Sequence, residues 1–155
     1  MHEIIVEKLS HEKIEQLVEV RLTRQQLLTR ADPPHFWSIL DEAALHRAVG
    51  GPAVMTPQLD RLIEVSRLPN VTIQVIPYEA GAHPAPDTNF SILEFNGSAP
   101  DMVYTEGLFG WIFLEQPGDV ERYHRVFEIL RTAALNEEDS IAFIAKMARD
   151  LRGGS

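Results

Sequence analysis

At 155 residues, 45% hydrophobic and 24% charged, the chain has the length and composition of one globular domain, taken here as 1–152 with a tail at 153–155. A net charge of −9, with 14 Lys and Arg spread along the chain, argues against direct nucleic-acid binding, which needs clustered cations. The absence of cysteine removes disulfides, thiolate catalysis and Cys-ligated zinc, and MHEIIVEKLSHEKIEQ lacks a basic stretch followed by an apolar run; with no window near the roughly 18 apolar residues of a membrane span, a cytoplasmic location away from membranes fits.

From His11 to Arg30 the spacing predicts a helix with Ile14, Leu17, Val18 and Leu28 on one face. Arg21 and Gln25 fall in the middle of that face and Arg24 at its edge. A guanidinium among apolar neighbours needs a carboxylate or backbone oxygens, so Arg21 is expected to sink into the interior and pair there, with Glu42 as its first partner. Asp32-Pro33-Pro34 ends the helix.

Phe36 to Leu40 reads as a short strand, and Asp41 is placed to cap a helical turn beginning Glu42-Ala43-Ala44-Leu45. After a break at Gly50-Gly51-Pro52, Thr56-Pro57 supplies an N-cap hydroxyl and a proline at the first helical position. The helix so begun buries Leu59, Leu62 and Ile63 and ends near Leu68, before Pro69-Asn70. Val71 to Tyr78 is apolar on both faces, as a central strand covered on both sides is. Gln74 is the exception, and its amide either bonds a structural neighbour or lines a cavity.

Residues 79–89, EAGAHPAPDTN, predict a surface loop whose His83 changes charge near neutral pH. Strands follow at Phe90–Phe95, Met102–Glu106 and Gly110–Gln116, with turns at Asn96-Gly97-Ser98 and Gly107 to Gly110. Alternation puts Met102, Tyr104 and Glu106 on one face, and Trp111, Phe113 and Glu115 on one face of the next strand. Asp119 can cap a helix that gathers Val120, Tyr123, His124, Phe127, Leu130 and Ala134 on one side. Asn136 with Asp139 resembles a capping box for a last helix burying Ile141, Ile144, Ala145, Ala148 and Leu151. The order predicts an α+β domain, a mostly antiparallel sheet of about five strands covered by helices.

G-x-x-x-x-G-K-[ST], G-x-G-x-x-G and G-x-S-x-G are absent, which leaves no support for a phosphate-cradling loop, a dinucleotide fingerprint or a nucleophile elbow, and no cofactor is expected. His11-Glu12-Lys13-Ile14-Glu15 has glutamate where the zinc-protease H-E-x-x-H has its second histidine. The six histidines are scattered without ligand spacing, so no metal is expected. One constellation remains: Gln74, Glu94, Tyr104, Glu106 and Glu115 on strands or strand ends, together with Arg21 and Gln25. If they share one side of the sheet they make a polar pocket for a small polar or cationic molecule, in which paired carboxylates can do acid/base work.

Arg21-Leu22-Thr23-Arg24-Gln25, Leu40-Asp41-Glu42-Ala43-Ala44-Leu45, Val49-Gly50-Gly51-Pro52, Gln58-Leu59, Asn70 to Pro77, Gly81-Ala82-His83, Phe90 to Phe95 and Val103-Tyr104-Thr105-Glu106 stand in an order and spacing that resembles a known family. It is the C-terminal domain of unknown function that follows an Xre-type helix-turn-helix in many actinobacterial transcriptional regulators of the WhiJ-like kind. The resemblance runs from about Glu12 to Ala148; the helix-turn-helix and its linking segment are not in this sequence. It implies an effector domain that senses a small molecule or a partner protein. From the residues themselves, ligand-binding groups are expected among Arg21, Arg24, Gln25, Gln74, Tyr104 and Glu106, and a homodimer is compatible with that role. The alternative is a stand-alone enzyme derived from such a domain, an isomerase or cyclase working by proton transfer, with Glu106, Glu42, Tyr104 and His83 as its acid/base groups.

Overall fold

The computed structural model describes residues 10–83, 89–107 and 110–153. Parts of three expectations lie outside them: 84–88 of the 79–89 loop, 108–109 of the turn before Gly110, and 154–155 of the tail. Helix α1 (His11–Gln25) starts at Ser10, whose side chain accepts the Lys13 N–H at 3.3 Å, and tightens into a 3₁₀ turn over Gln26–Thr29. None of its residues is buried. Its apolar side chains are spread round the helix, Val20 and Leu22 standing 57% and 56% exposed, so it lies on the body of the protein and does not enter it. The tie comes just after it. Leu28 packs against the core, and the Asn70 side-chain amide donates to the carbonyls of Leu28 (3.2 Å) and Pro34 (3.0 Å).

Strand β1 (Phe36–Asp41) pairs in parallel with β2 (Val71–Ile76), from Phe36↔Val71 to Asp41↔Ile76. The connection is α2 (Glu42–His46) and α3 (Pro52–Val65). A chain leaving the end of one strand through helices returns alongside it in the same direction, which accounts for the parallel pairing. Asp41 caps α2 as expected, its carboxylate accepting the Ala43 N–H at 2.7 Å. Helix α3 starts earlier than Thr56-Pro57 predicts. Gly51, at φ 78, is its N-cap and Pro52 its first residue, while Pro57 sits in the second turn.

β2 is the centre of the molecule, with every residue but Thr72 buried. Leu45, Met55, Leu59, Val71, Ile73, Val75, Ile144 and Ala148 form one core cluster. The last two come from α5 (Glu137–Gly153), which begins with the expected cap: Asn136 Oδ1 accepts the Asp139 N–H at 2.8 Å. The segment leading into α5 also closes β2. Leu135 N–H donates to Val75 C=O (2.9 Å), Val75 N–H donates to Ser140 Oγ (3.0 Å), and the Ser140 hydroxyl donates to Leu135 C=O (3.2 Å).

That closure explains the main departure from the expected fold. Five strands are described, but they do not make one mostly antiparallel sheet. β3 (Phe90–Leu93), β4 (Met102–Gly107) and β5 (Gly110–Leu114) form a separate antiparallel meander, and the fold is mixed α/β with a parallel pair and an antiparallel trio. Val75 has spent its backbone groups on Leu135 and Ser140, so no third strand extends the ladder there. Helix α4 (Pro117–Ala133) bridges the sheets: Tyr123 packs on Phe90 with ring centroids 5.0 Å apart, and Phe127 meets Trp37 edge-on at 6.0 Å. Its N-cap is Gln116, with Pro117 first, so Asp119 lies in the first turn, not at the cap, where its charge still favours the helix dipole. Among the described residues no helix is long and apolar enough to cross a membrane.

Candidate functional site

The β4–β5 register pairs Tyr104 with Phe113 and Glu106 with Trp111, and β3 joins with Ser91 opposite Tyr104. Residues opposite one another in antiparallel strands share a face, so these five make one surface. The other face holds Val103 and Thr105, both buried. The first face is left outward: Trp111 is 66% exposed, and the Tyr104 and Phe113 rings lie 5.3 Å apart.

Helix α1 lies against part of that face and leaves a cleft of about 290 Å³. Leu17, Val20, Arg21 and Arg24 line it from the helix; Phe90, Ser91, Tyr104, Glu106 and Trp111 line it from the sheet. Arg21 and Arg24 are three residues apart, so they are neighbours on one side of the helix. Among the described residues neither makes an ion pair or hydrogen bond, and none is made by the Glu106 carboxylate, the Tyr104 hydroxyl or the Trp111 indole N–H. The polar groups of the cleft are therefore uncommitted among the described residues.

Arg21, Arg24, Tyr104 and Glu106 of the expected ligand-binding set thus come together; Gln25 and Gln74 do not join them. Arg21 and Gln25 are also not sunk in the interior: both are exposed, because α1 has no buried face to carry them inward. The expected Arg21–Glu42 pair is not formed. Glu42 uses one carboxylate oxygen on His46 (2.9 Å) and the other on the Tyr78 N–H (2.7 Å). Gln74 is buried and structural, accepting from Trp37 Nε1 and donating to Leu135 C=O, both at 2.8 Å.

The four acid/base candidates divide. Tyr104 and Glu106 stand in the cleft, whereas Glu42 and His83 belong to a cluster at the end of β1. There His83 Nε2 lies 3.0 Å from Asp41 Oδ2, and the His46 ring stacks on Tyr78 with centroids 5.6 Å apart.

A second depression, of about 380 Å³, is lined by Asp101, Glu115, Val120, Glu121 and His124. Glu94, Asp101 and His124 hold their donor atoms within 4.8 Å of one another, a grouping that sequence spacing does not reveal because it joins the two ends of the β3–β4 connection to α4. His124 already answers both acids, with Nε2 3.4 Å from Asp101 and Nδ1 3.8 Å from Glu94. Glu94 and Glu115 therefore belong on this side and not in the cleft with Tyr104 and Glu106. The cleft beneath α1 is the smaller of the two, but its polar groups are unanswered among the described residues, and that makes it the stronger candidate. Trp111 and Phe90 were readable as strand residues yet not as site residues, since only the cross-strand register sets Trp111 beside Glu106.

Over residues 1–146 the sequence matches the family model described as "Domain of unknown function (DUF5753)". No curated protein and no solved structure matches the chain.

Proposed function

We propose, from the premise that this chain belongs to the DUF5753 family, that it is an effector-type binding domain whose ligand sits in the cleft between α1 and the outward face of β3–β5. One observation carries this reading: charged, hydroxyl and indole groups from two elements line a single recess and have no partners within the described protein. A recess near 300 Å³ is at the lower end for ligand sites, so the occupant is a small molecule. The resemblance to the domain that follows an Xre-type helix-turn-helix in WhiJ-like actinobacterial regulators supports a sensing role exerted through a partner. The net charge of −9 supports a role without direct DNA contact.

The test is mass spectrometry of small molecules released from protein purified from its native host, compared with the Arg21→Ala/Arg24→Ala double variant prepared in parallel. The reading expects a compound carried by the parent chain and lost from the variant. Equal recovery from both would remove the cleft from the account. Conversion of the recovered compound by the parent chain would move the assignment to an acid/base isomerase or cyclase with Tyr104 and Glu106 at the reacting centre.

A further inference from the structure

We infer that the cleft selects a small organic anion: a carboxylate or phosphate oxyanion carried on a flat, apolar body. This rests on the cleft being the binding site, and adds what it binds.

The charge arrangement points this way. Arg21 and Arg24 face a recess whose opposite wall offers a single carboxylate, Glu106, so two guanidiniums oppose one acid. The chain has 23 Asp and Glu against 14 Lys and Arg, so partners for an arginine are plentiful, yet neither of these two has one among the described residues. A locally cationic recess in a protein of net charge −9 repels the cationic ligand that the carboxylate-rich strands alone would favour. It attracts oxyanions, which the planar guanidinium fork binds through two parallel hydrogen bonds.

The neutral groups agree. The Trp111 indole can only donate, and the Tyr104 hydroxyl can donate as well as accept, so the recess is richer in donors than in acceptors and matches an acceptor-rich ligand. Tyr104 and Trp111 add aromatic surface, and Leu17 and Val20 close over it from α1, which fits a flat apolar ring.

The experiment uses the full chain with four single-ring probes: 4-hydroxyphenylacetate, phenyl phosphate, the neutral 4-hydroxyphenylacetamide and the cationic tyramine. Binding is followed by calorimetry and by the two indole N–H resonances. Trp37, held by Gln74, is the internal control for an intact fold, and Trp111 reports the cleft. One or both acids should shift the Trp111 resonance saturably and leave Trp37 in place, binding at least about tenfold more tightly than the amide or the amine, the size expected of one charge-assisted pair. Whichever of carboxylate and phosphate binds more tightly identifies the head group. Arg21→Ala and Arg24→Ala should each weaken the acids about tenfold and leave the amide unaffected.

Amide or amine binding as tight as the acids, at Trp111, would overturn the anion assignment while leaving the cleft a binding site. Acid binding unchanged in the double arginine variant, or no probe shifting Trp111 up to its solubility, would overturn it too. The compounds released from native protein then decide separately whether the cleft reading itself stands.

Discussion

Ser140 stands where a neighbouring strand would stand for Val75: its hydroxyl accepts the Val75 N–H at 3.0 Å and passes its own hydrogen to Leu135 C=O. Ser140 is 0% exposed, so no water replaces it. Ser140→Ala should therefore lower unfolding free energy by about 1–3 kcal/mol, the penalty for a buried donor left unsatisfied. Urea titration of the parent and the variant measures it, and a loss below about 0.5 kcal/mol would mean that the Val75 amide finds another acceptor.

Gln74 is expected to matter for stability and not for ligand affinity. Gln74→Met keeps the volume but removes the acceptor of Trp37 Nε1 and the donor to Leu135 C=O, which should destabilise by about 1–3 kcal/mol. Affinity for 4-hydroxyphenylacetate, measured by calorimetry, should stay at the parent value because Gln74 does not line the cleft. A selective loss of affinity would return Gln74 to the site.

Arg21→Ala separates an exposed arginine from a buried, paired one. Breaking a buried pair costs about 3–5 kcal/mol, whereas an exposed substitution away from special features stays within about 0.5 kcal/mol. With Arg21 exposed and its ion-pairing capacity unused among the described residues, the smaller change is expected in urea titration.

Gly51 is expected to resist replacement for backbone reasons alone. It holds φ 78 and ψ 178 at the head of α3, a conformation almost confined to glycine, while a Cβ there would meet no atom within 4 Å. Gly51→Ala should lower stability by about 1–3 kcal/mol, read as a lower melting temperature. An unchanged melt would show that the turn relaxes at no cost.

Helix α1 should be the least protected helix in hydrogen exchange, since none of its residues is buried while α3 and α5 supply the core. An acid bound in the cleft bridges α1 to the sheet and should slow exchange in α1 selectively. Uniform slowing across α3 and α5 would point to a site elsewhere.

Much of this architecture was legible because it is written in local chemistry. Asp41 and Asn136 cap the helices they were expected to cap, and the double-sided apolar run around Val75 marks the buried strand. The sheet arrangement was less legible, since a serine in the first turn of α5 closes β2 in place of another strand, and no local pattern announces a side chain acting as a strand edge. Thr56-Pro57 has the chemistry of a helix start, yet α3 begins at Pro52, because Gly51 uses backbone freedom instead. For the site, the sequence places Arg21, Arg24, Tyr104 and Glu106 in one candidate set, but only by giving α1 a buried face. They meet instead at the surface, and the aromatic half of the recess emerges only from the hairpin register.

The clamp at Asn70 sets a fulcrum. The first helix is tied to the core just past its end, through Leu28 and one side-chain amide that holds two carbonyls, and no residue along its length is anchored in the interior. Among the described residues, a push on that helix is thus delivered at one pivot and opposed by surface contacts alone, so tilting it demands far less work than displacing α3 or α5. A molecule wedged between lever and sheet can set the lever's angle without disturbing the core.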